Sequence, residues 1–158
     1  MSTANLFTGD LHRDWQTLCN LWKQCGRVLG PEVGPLWEMP REHKACIFFA
    51  ERYPESRQFL MERLSDPDPL IAAHAFKCLI RVVDIKPADI PEPVRSRIEP
   101  IESVLHSTVK QKTLGEYVAE YFEAYPSRDE LLKAQQRSID WQLNELAAYK
   151  KAKAQELR

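Results

Sequence analysis

The stretch LMERLSDPDPLIAAHAFKCL, residues 60–79, decides the fold of this chain. It carries apolar side chains at helical spacing on both sides of a short segment of aspartate and proline. Asp68 is suited to cap a helix, and Pro69 fits the first helical position, where a missing amide hydrogen costs little. The stretch therefore predicts two helices that are joined by a tight turn and packed as a hairpin.

Over about residues 57–83 the chain resembles one HEAT repeat. Leu60 and Leu64 occupy the leucine positions of a first helix, and aliphatic and alanine positions follow the Asp/Pro turn. Ala73 and Ala75 let neighbouring helices approach closely, as stacked repeats require. Ala72 stands where the family often has an arginine, so the polar ladder between repeats lacks that residue here. The resemblance implies stacked helical pairs that present a face to a partner.

Helical patterns extend outward from this hairpin in both directions. Asp10 or Thr8 can cap a first helix, with apolar side chains stepping by four and three to Leu29 before Gly30 and Pro31 end it. A Pro- and Gly-rich loop follows, and a second helix begins after Pro40 and runs toward Tyr53. On the far side, a fifth helix is predicted over about residues 94–105, with a kink or a break near Glu99 caused by Pro100. Capping boxes at Thr113–Glu116 and Ser127–Glu130 predict two more helices, the last of them long.

No segment alternates apolar and polar residues with period two over more than a few residues, so no sheet is expected. The predicted fold is all-α, with about seven helices in an irregular stack of antiparallel pairs resembling an α-solenoid, and a long C-terminal helix. A generic orthogonal bundle is the competing architecture. The helices form one domain over residues 1–158, with residues 1–9 and about 152–158 expected to fray.

Composition narrows the class of protein. Hydrophobic content of 44% with 28% charged residues is typical of a globular domain. The net charge of −1 makes nucleic acid an unexpected partner, because it provides no field to attract phosphates. The chain shows neither a signal-peptide pattern nor an apolar run of membrane-spanning length, so we expect a cytoplasmic location and no membrane association.

Two pairs of histidine and cysteine are weak candidates for metal ligands. His43 and Cys46 lie three residues apart, and His74 and Cys78 lie four apart, so each pair occupies one side of a helix. The preferred interpretation is that these side chains are part of the core, because the CxxC knuckles of common zinc sites are missing. Neither a metal nor a cofactor is predicted.

Tyrosines at every fourth position of the sixth helix suggest a contact surface. Tyr117 and Tyr121, with Glu120 beside them, form an acidic aromatic edge that we expect to be partly exposed, because another side of the helix supplies residues for burial. Trp37, in the Pro-rich loop, is either a lid over the core, which is favoured, or a protruding anchor for a partner.

Function is expected to rest on binding, since no phosphate-binding loop, nucleophile elbow or His-Glu-x-x-His motif occurs. The favoured hypothesis is a non-catalytic protein-interaction module, such as an adaptor, a chaperone for a secreted effector, or an immunity protein that neutralises a toxin. The alternative is a HEAT-like nucleic-acid-binding or base-excision enzyme. A homodimer formed through the C-terminal helix is a third hypothesis.

Overall fold

The computed structural model describes residues 7–31, 41–105 and 108–156 and is predominantly helical. It confirms the helical class, the number of α-helices within that part of the chain and the long C-terminal helix. The helices are α1 (Leu11–Cys25), α2 (Arg41–Arg52), α3 (Arg57–Arg63), α4 (Pro69–Val82), α5 (Glu92–Arg95), α6 (Leu114–Ala124) and α7 (Arg128–Glu156). The strands are β1 (Val28–Leu29), β2 (Pro100–Leu105) and β3 (Thr108–Thr113), and a 3-10 turn spans Pro87–Asp89.

Helix α4 is the centre of the molecule. Every side chain from Ile71 to Arg81 is buried, because α1, α2, α3, α6 and α7 and the strands β1 and β2 all contact this helix. Asp68 caps its first turn by accepting the Leu70 amide at 2.9 Å, as predicted. The small alanine side chains of α4 let several elements pack closely around this one helix.

The small sheet corrects the prediction of a fold without strands. Strand β2 lies between β1, with which it is parallel, and β3, with which it forms an antiparallel hairpin. Residues 100–105 were expected to continue a fifth helix, but α5 ends at Arg95 and Pro100 begins a strand instead. The alternation was hidden because the inward positions of β2 include Ser103, which is polar and yet buried beside the buried Ile101.

Helix α1 begins where it was predicted and ends earlier. Asp10 accepts the Arg13 amide at 2.9 Å and caps the first turn. Gly26 adopts φ +69°, the left-handed conformation that closes many helices, so the chain leaves the helix after Cys25 rather than at Gly30. Leu29, predicted as the last apolar position of this helix, is part of β1.

The start of α1 is held by a buried carboxylate. Asp14 accepts hydrogen bonds from the Thr8 amide and hydroxyl, both at 2.8 Å, from the Gly9 amide at 3.2 Å, and from the Tyr53 hydroxyl. Burial acts to raise the pKa of Asp14, but these hydrogen bonds outweigh it, and the pKa is lowered. Thr8 and Gly9, which precede α1, are therefore held by one charged side chain.

Candidate functional site

The tyrosines of α6 are buried, which corrects the expectation that they form an exposed edge. Tyr117 is 0% exposed and Tyr121 is 2% exposed, because α4 and the end of β1 cover this side of the helix. A side chain in this position has no surface to offer a partner. The expectation failed because α6 has neighbours on two sides rather than one.

Their hydroxyl groups bind the chain as it leaves β1. Tyr117 donates to the Leu29 carbonyl at 2.6 Å, and Tyr121 donates to the Gly30 carbonyl at 2.9 Å and also reaches the Leu29 carbonyl at 3.2 Å. One turn further along, Tyr125 donates to the Pro31 carbonyl at 3.3 Å. We call Tyr117, Tyr121 and Tyr125 the tyrosine ladder.

The tyrosine ladder closes one edge of the sheet. The Gly30 amide donates to the Val104 carbonyl of β2 at 2.7 Å. In a trans peptide unit the C=O and N–H groups point in opposite directions, so the Leu29 carbonyl points away from β2 and toward α6. Burial raises the pKa of both Tyr117 and Tyr121, which keeps their hydroxyls protonated as donors. The ladder thus supplies the partners that an edge strand otherwise lacks.

Of the other two residues predicted to bind a partner, Glu120 is tied into the fold. Its carboxylate forms an ion pair with the ammonium group of Lys112 on β3, and both side chains are mostly covered. This pair joins α6 to the outer strand of the sheet. Trp37 lies outside the described residues.

The histidine and cysteine candidates lie in the core between α2 and α4. The Cys46 sulfur is 3.6 Å from Nδ1 of His74, whose Nε2 is 3.2 Å from the Arg27 carbonyl. Because a carbonyl only accepts, Nε2 carries the proton and Nδ1 is left to accept the Cys46 S–H. The ring of Trp22 stacks on His74 with centroids 4.6 Å apart. These contacts fix one orientation of the imidazole.

This arrangement is closed to a substrate. Cys46, His74 and Cys78 are all 0% exposed, so in this structure no reactant reaches the thiol. Burial and a hydrogen bond to Cys46 raise the pKa of Cys78, and burial lowers the pKa of His74. Within the described ranges, no group of three or more His, Cys, Asp or Glu side chains has a geometry that could hold a metal ion.

Lys77 and His43 are unusual members of the same core. Both are buried, and in the part of the chain that the structure describes neither Nζ of Lys77 nor Nδ1 of His43 has a hydrogen-bond partner. Burial lowers the pKa of Lys77 to about 8 and holds the pKa of His43 well below its usual value, with the nearby charge of Arg81 acting in the same direction on both. A buried ammonium group without a partner costs stability, so Lys77 weakens the fold at neutral pH.

Two surface grooves and one small cavity among the described residues carry little chemistry. One, of about 410 Å³, is lined by Phe7, Phe48, Glu51 and Arg52. A second, of about 300 Å³, lies between Leu11 and residues 52–56. The space between α4, α6 and α7 is only about 10 Å³, too small for any ligand beyond a single water molecule. None of these three places a cysteine or histidine beside an orienting acid.

The last part of α7 carries the largest group of exposed large apolar side chains among the described residues. Leu131 is buried near the start of the helix, whereas Trp141 is 47%, Leu143 59%, Leu146 45% and Tyr149 60% exposed. From residue 143 to 156 every side chain is exposed. The helix has 29 residues and is about 43 Å long, so more than half of it extends beyond the body.

The exposed apolar residues continue the stripe that the body covers. Tyr149 follows Leu131 by five complete helical turns and therefore lies on the same side of α7. Leu143 lies four residues beyond Ile139, which is partly covered. We call residues 140–156 the α7 extension. Its pattern is that of a helix with a packed side, but the packing ends near Asp140.

A scan against protein-family models, a search of curated proteins and a search of solved structures each found no match to this chain. Among the described residues, no helix combines the length and the apolar character that crossing a membrane requires.

The sequence carried part of the signal for this surface. Leu143 and Leu146 are apolar positions of the predicted last helix, they precede the segment expected to fray, and pairing through this helix was one of the hypotheses. The sequence does not show how much core is available to cover them. Only the position of the body, which ends near Asp140, shows that these side chains are uncovered.

Proposed function

We propose that this chain is a non-catalytic protein-interaction module that binds its protein partner through the α7 extension. The observation that carries the proposal is the run of exposed apolar side chains at Leu143, Leu146 and Tyr149. Large exposed apolar groups that lie close together are typical of interaction surfaces. Tyrosine adds contact area at a small cost in side-chain entropy.

The arrangement of the rest of the molecule supports this proposal. The Cys46–His74 pair is sealed in the core, and the tyrosines that were expected at the surface hold the sheet. The body therefore serves as a support that fixes the first third of α7, where Leu131 is buried and Arg128 donates to the Arg81 carbonyl at 2.8 Å. A rigid base lets a projecting helix present its apolar side in one orientation.

An adaptor, an effector chaperone and a toxin-neutralising immunity protein all fit this proposal, because each requires only a binding surface. The described cysteines are free thiols, which is the usual state in the reducing cytoplasm, where we place the protein. No catalytic step is proposed.

Affinity capture with three forms of the tagged protein tests the proposal. The wild type is compared with the double variant Leu143→Ala/Leu146→Ala and with the control Ile98→Ala. Ile98 is 81% exposed and lies outside α7, so the control removes apolar surface elsewhere. Alanine preserves helix propensity, and the variants should keep the helical circular dichroism of the wild type.

We expect the wild type and Ile98→Ala to retain one protein in a stoichiometric amount, and the double variant to lose it. An untagged copy of this chain counts as such a protein. Retention of the same proteins by all three forms would refute a role for the α7 extension in binding.

A further inference from the structure

We infer that the protein bound by the α7 extension is a second copy of this chain, aligned antiparallel so that the two helices pair about a two-fold axis. The inference rests on the proposed function and names its partner. It is carried by the spacing of the apolar residues and by the position of the charges along α7.

The apolar spacing fits a pair of helices. Ile139, Leu143 and Leu146, followed by Lys150, step by four, three and four residues, which is the pattern of the seam between two coiled helices. Pairing residue 143 of one copy with residue 146 of the other generates two leucine layers by symmetry. The two-fold axis then passes between residues 144 and 145, and Ile139 is level with Lys150 of the second copy.

Charge selects the antiparallel direction. In this register Lys150 of one copy is one residue away from the level of Asp140 in the other, and the two-fold axis generates the interaction twice. A parallel pair would instead place Lys150 level with Lys150, in the seam, and Asp140 level with Asp140. Opposite charges therefore meet in the antiparallel pair, whereas the two Lys150 ammonium groups meet in the parallel one.

The distribution of charge along the α7 extension agrees with this choice. Residues 140–149 contain Asp140 and Glu145 and no basic residue, a net charge of −2. Residues 150–156 contain Lys150, Lys151 and Lys153 against Glu156, a net charge of +2. Antiparallel pairing brings the basic end of each helix beside the start of the acidic segment of the other, and the two bodies lie at opposite ends of the pair.

The length of the α7 extension also favours a partner that packs on it. Most helical stability in proteins comes from packing of an apolar side, and the α7 extension continues a helix whose first part is packed. In the described structure every side chain of residues 143–156 is exposed. In a symmetric pair, the apolar side of each α7 extension packs on the identical apolar side of the other, so both are covered.

Sedimentation equilibrium of the purified full chain, from about 1 µM to about 500 µM, tests the inference over the range in which a short helical pair dissociates. We expect a reversible monomer–dimer equilibrium. Leu143→Ala/Leu146→Ala removes both leucine layers and should weaken the dimer more than about a hundredfold. Ile98→Ala should leave the dissociation constant unchanged.

Charge reversal tests the direction of pairing. Asp140→Lys and Lys150→Glu, made singly, should each weaken an antiparallel dimer by about tenfold, because each creates two like-charge pairs. The double variant Asp140→Lys/Lys150→Glu should recover the wild-type dissociation constant. In a parallel dimer each single reversal merely exchanges one like-charge pair for another, so single variants that match the wild type would overturn the antiparallel arrangement.

A wild type that stays monomeric up to the highest concentration overturns the inference, and so does a dimer that is unaffected by Leu143→Ala/Leu146→Ala. The proposed function has a separate test. If the chain is monomeric but a different protein is captured by the wild type and lost from that double variant, the α7 extension binds a partner that is not a second copy. If neither result is obtained, both proposals fail.

Discussion

Removing the hydroxyl groups of the tyrosine ladder tests the description of the sheet edge. Tyr117→Phe deletes the shorter hydrogen bond, 2.6 Å long, yet the Leu29 carbonyl that it leaves is still reached by Tyr121 at 3.2 Å. The Tyr121 hydroxyl has a single proton, which it shares between the Gly30 and Leu29 carbonyls, so the Leu29 carbonyl stays partly served. The expected cost is therefore that of one neutral hydrogen bond, about 0.5–1.5 kcal/mol of the free energy of unfolding.

Tyr121→Phe should cost more, although its hydrogen bond is longer. This variant removes the donor 2.9 Å from the Gly30 carbonyl, which lies on a buried residue, while Tyr117 continues to serve Leu29. A buried acceptor without a partner costs its full desolvation, so we expect a loss of about 1–3 kcal/mol.

The double variant should be worse than the sum of the two single ones. With both hydroxyls absent, the Leu29 carbonyl also loses its donors, and its orientation away from β2 prevents the sheet from replacing them. The loss in stability beyond the sum of the two single variants should be about 1 kcal/mol. It is the cost of leaving the Leu29 carbonyl, which both hydroxyls reach, without a donor.

Urea unfolding followed by tryptophan fluorescence and circular dichroism measures these differences, because the buried indoles of α1 report on the core. Tyr125→Phe is a matched control. Its side chain is only partly buried and its bond to Pro31 is longer, 3.3 Å, so we expect a loss below about 0.5 kcal/mol. A larger loss for Tyr117→Phe than for Tyr121→Phe, or strict additivity in the double variant, would refute the shared-acceptor arrangement.

Three further substitutions test other parts of the fold by chemical denaturation. Lys77→Met should stabilise the protein by about 2–3 kcal/mol at pH 7, because it removes the cost of burying a charged ammonium group. The folded pKa of Lys77 is lowered to about 8, so this cost is full below pH 8 and declines as pH rises from 8 toward 10.5. A destabilised variant would contradict this. Asp14→Asn should lower the free energy of unfolding by about 2–4 kcal/mol. Because the pKa of Asp14 is lowered, the difference in stability between variant and wild type should shrink as pH falls below 3.8. A difference that does not change with pH would argue against the buried carboxylate. Gly115→Ala should cost roughly 3 kcal/mol, because a Cβ there would lie 2.1 Å from the Arg95 carbonyl oxygen, and a neutral result would show that α5 and α6 separate easily.

Local signals were sufficient to predict the helical hairpin and most helix starts. Asp10, Asp68 and Thr113 cap the helices that they were expected to cap, because capping depends on a side chain and amides only a few residues away. The HEAT-like stretch likewise forms α3 and α4 on either side of its Asp/Pro turn. These features are encoded over short distances along the chain.

The parallel pair of strands, β1 and β2, depended on contacts that are distant in sequence, whereas β2 and β3 form a local hairpin. Residues 28 and 29 pair with residues 103 and 104, and neither segment alone shows a strong strand pattern. Strand β1 is too short for any periodicity, and β2 turns the polar Ser103 inward. The tertiary environment therefore determined the strand conformation there.

The two tyrosine positions show why a candidate surface is difficult to predict from periodicity. A stripe of apolar residues shows that one side of a helix is packed, but it does not show against what. On α6 the stripe packs on β1 within the same chain, and Tyr117 and Tyr121 are structural. On α7 an apolar stripe extends beyond the body, and Leu143 and Leu146 are exposed. Both stripes have helical spacing, so periodicity alone does not distinguish them.

The two stripes differ because the body covers the stripe on α6 and leaves part of the stripe on α7 uncovered. Helix α4 is too short to pack along the whole of α7. Helix α4 spans 14 residues, about 21 Å, and α7, which packs on it, is about twice as long. Even if α7 packed along the whole length of α4, about half of α7 would extend beyond α4. In the described residues the apolar side of that half is exposed at Leu143, Leu146 and Tyr149. A second copy is the partner that we propose for it, because the apolar side and the charges of that copy match it.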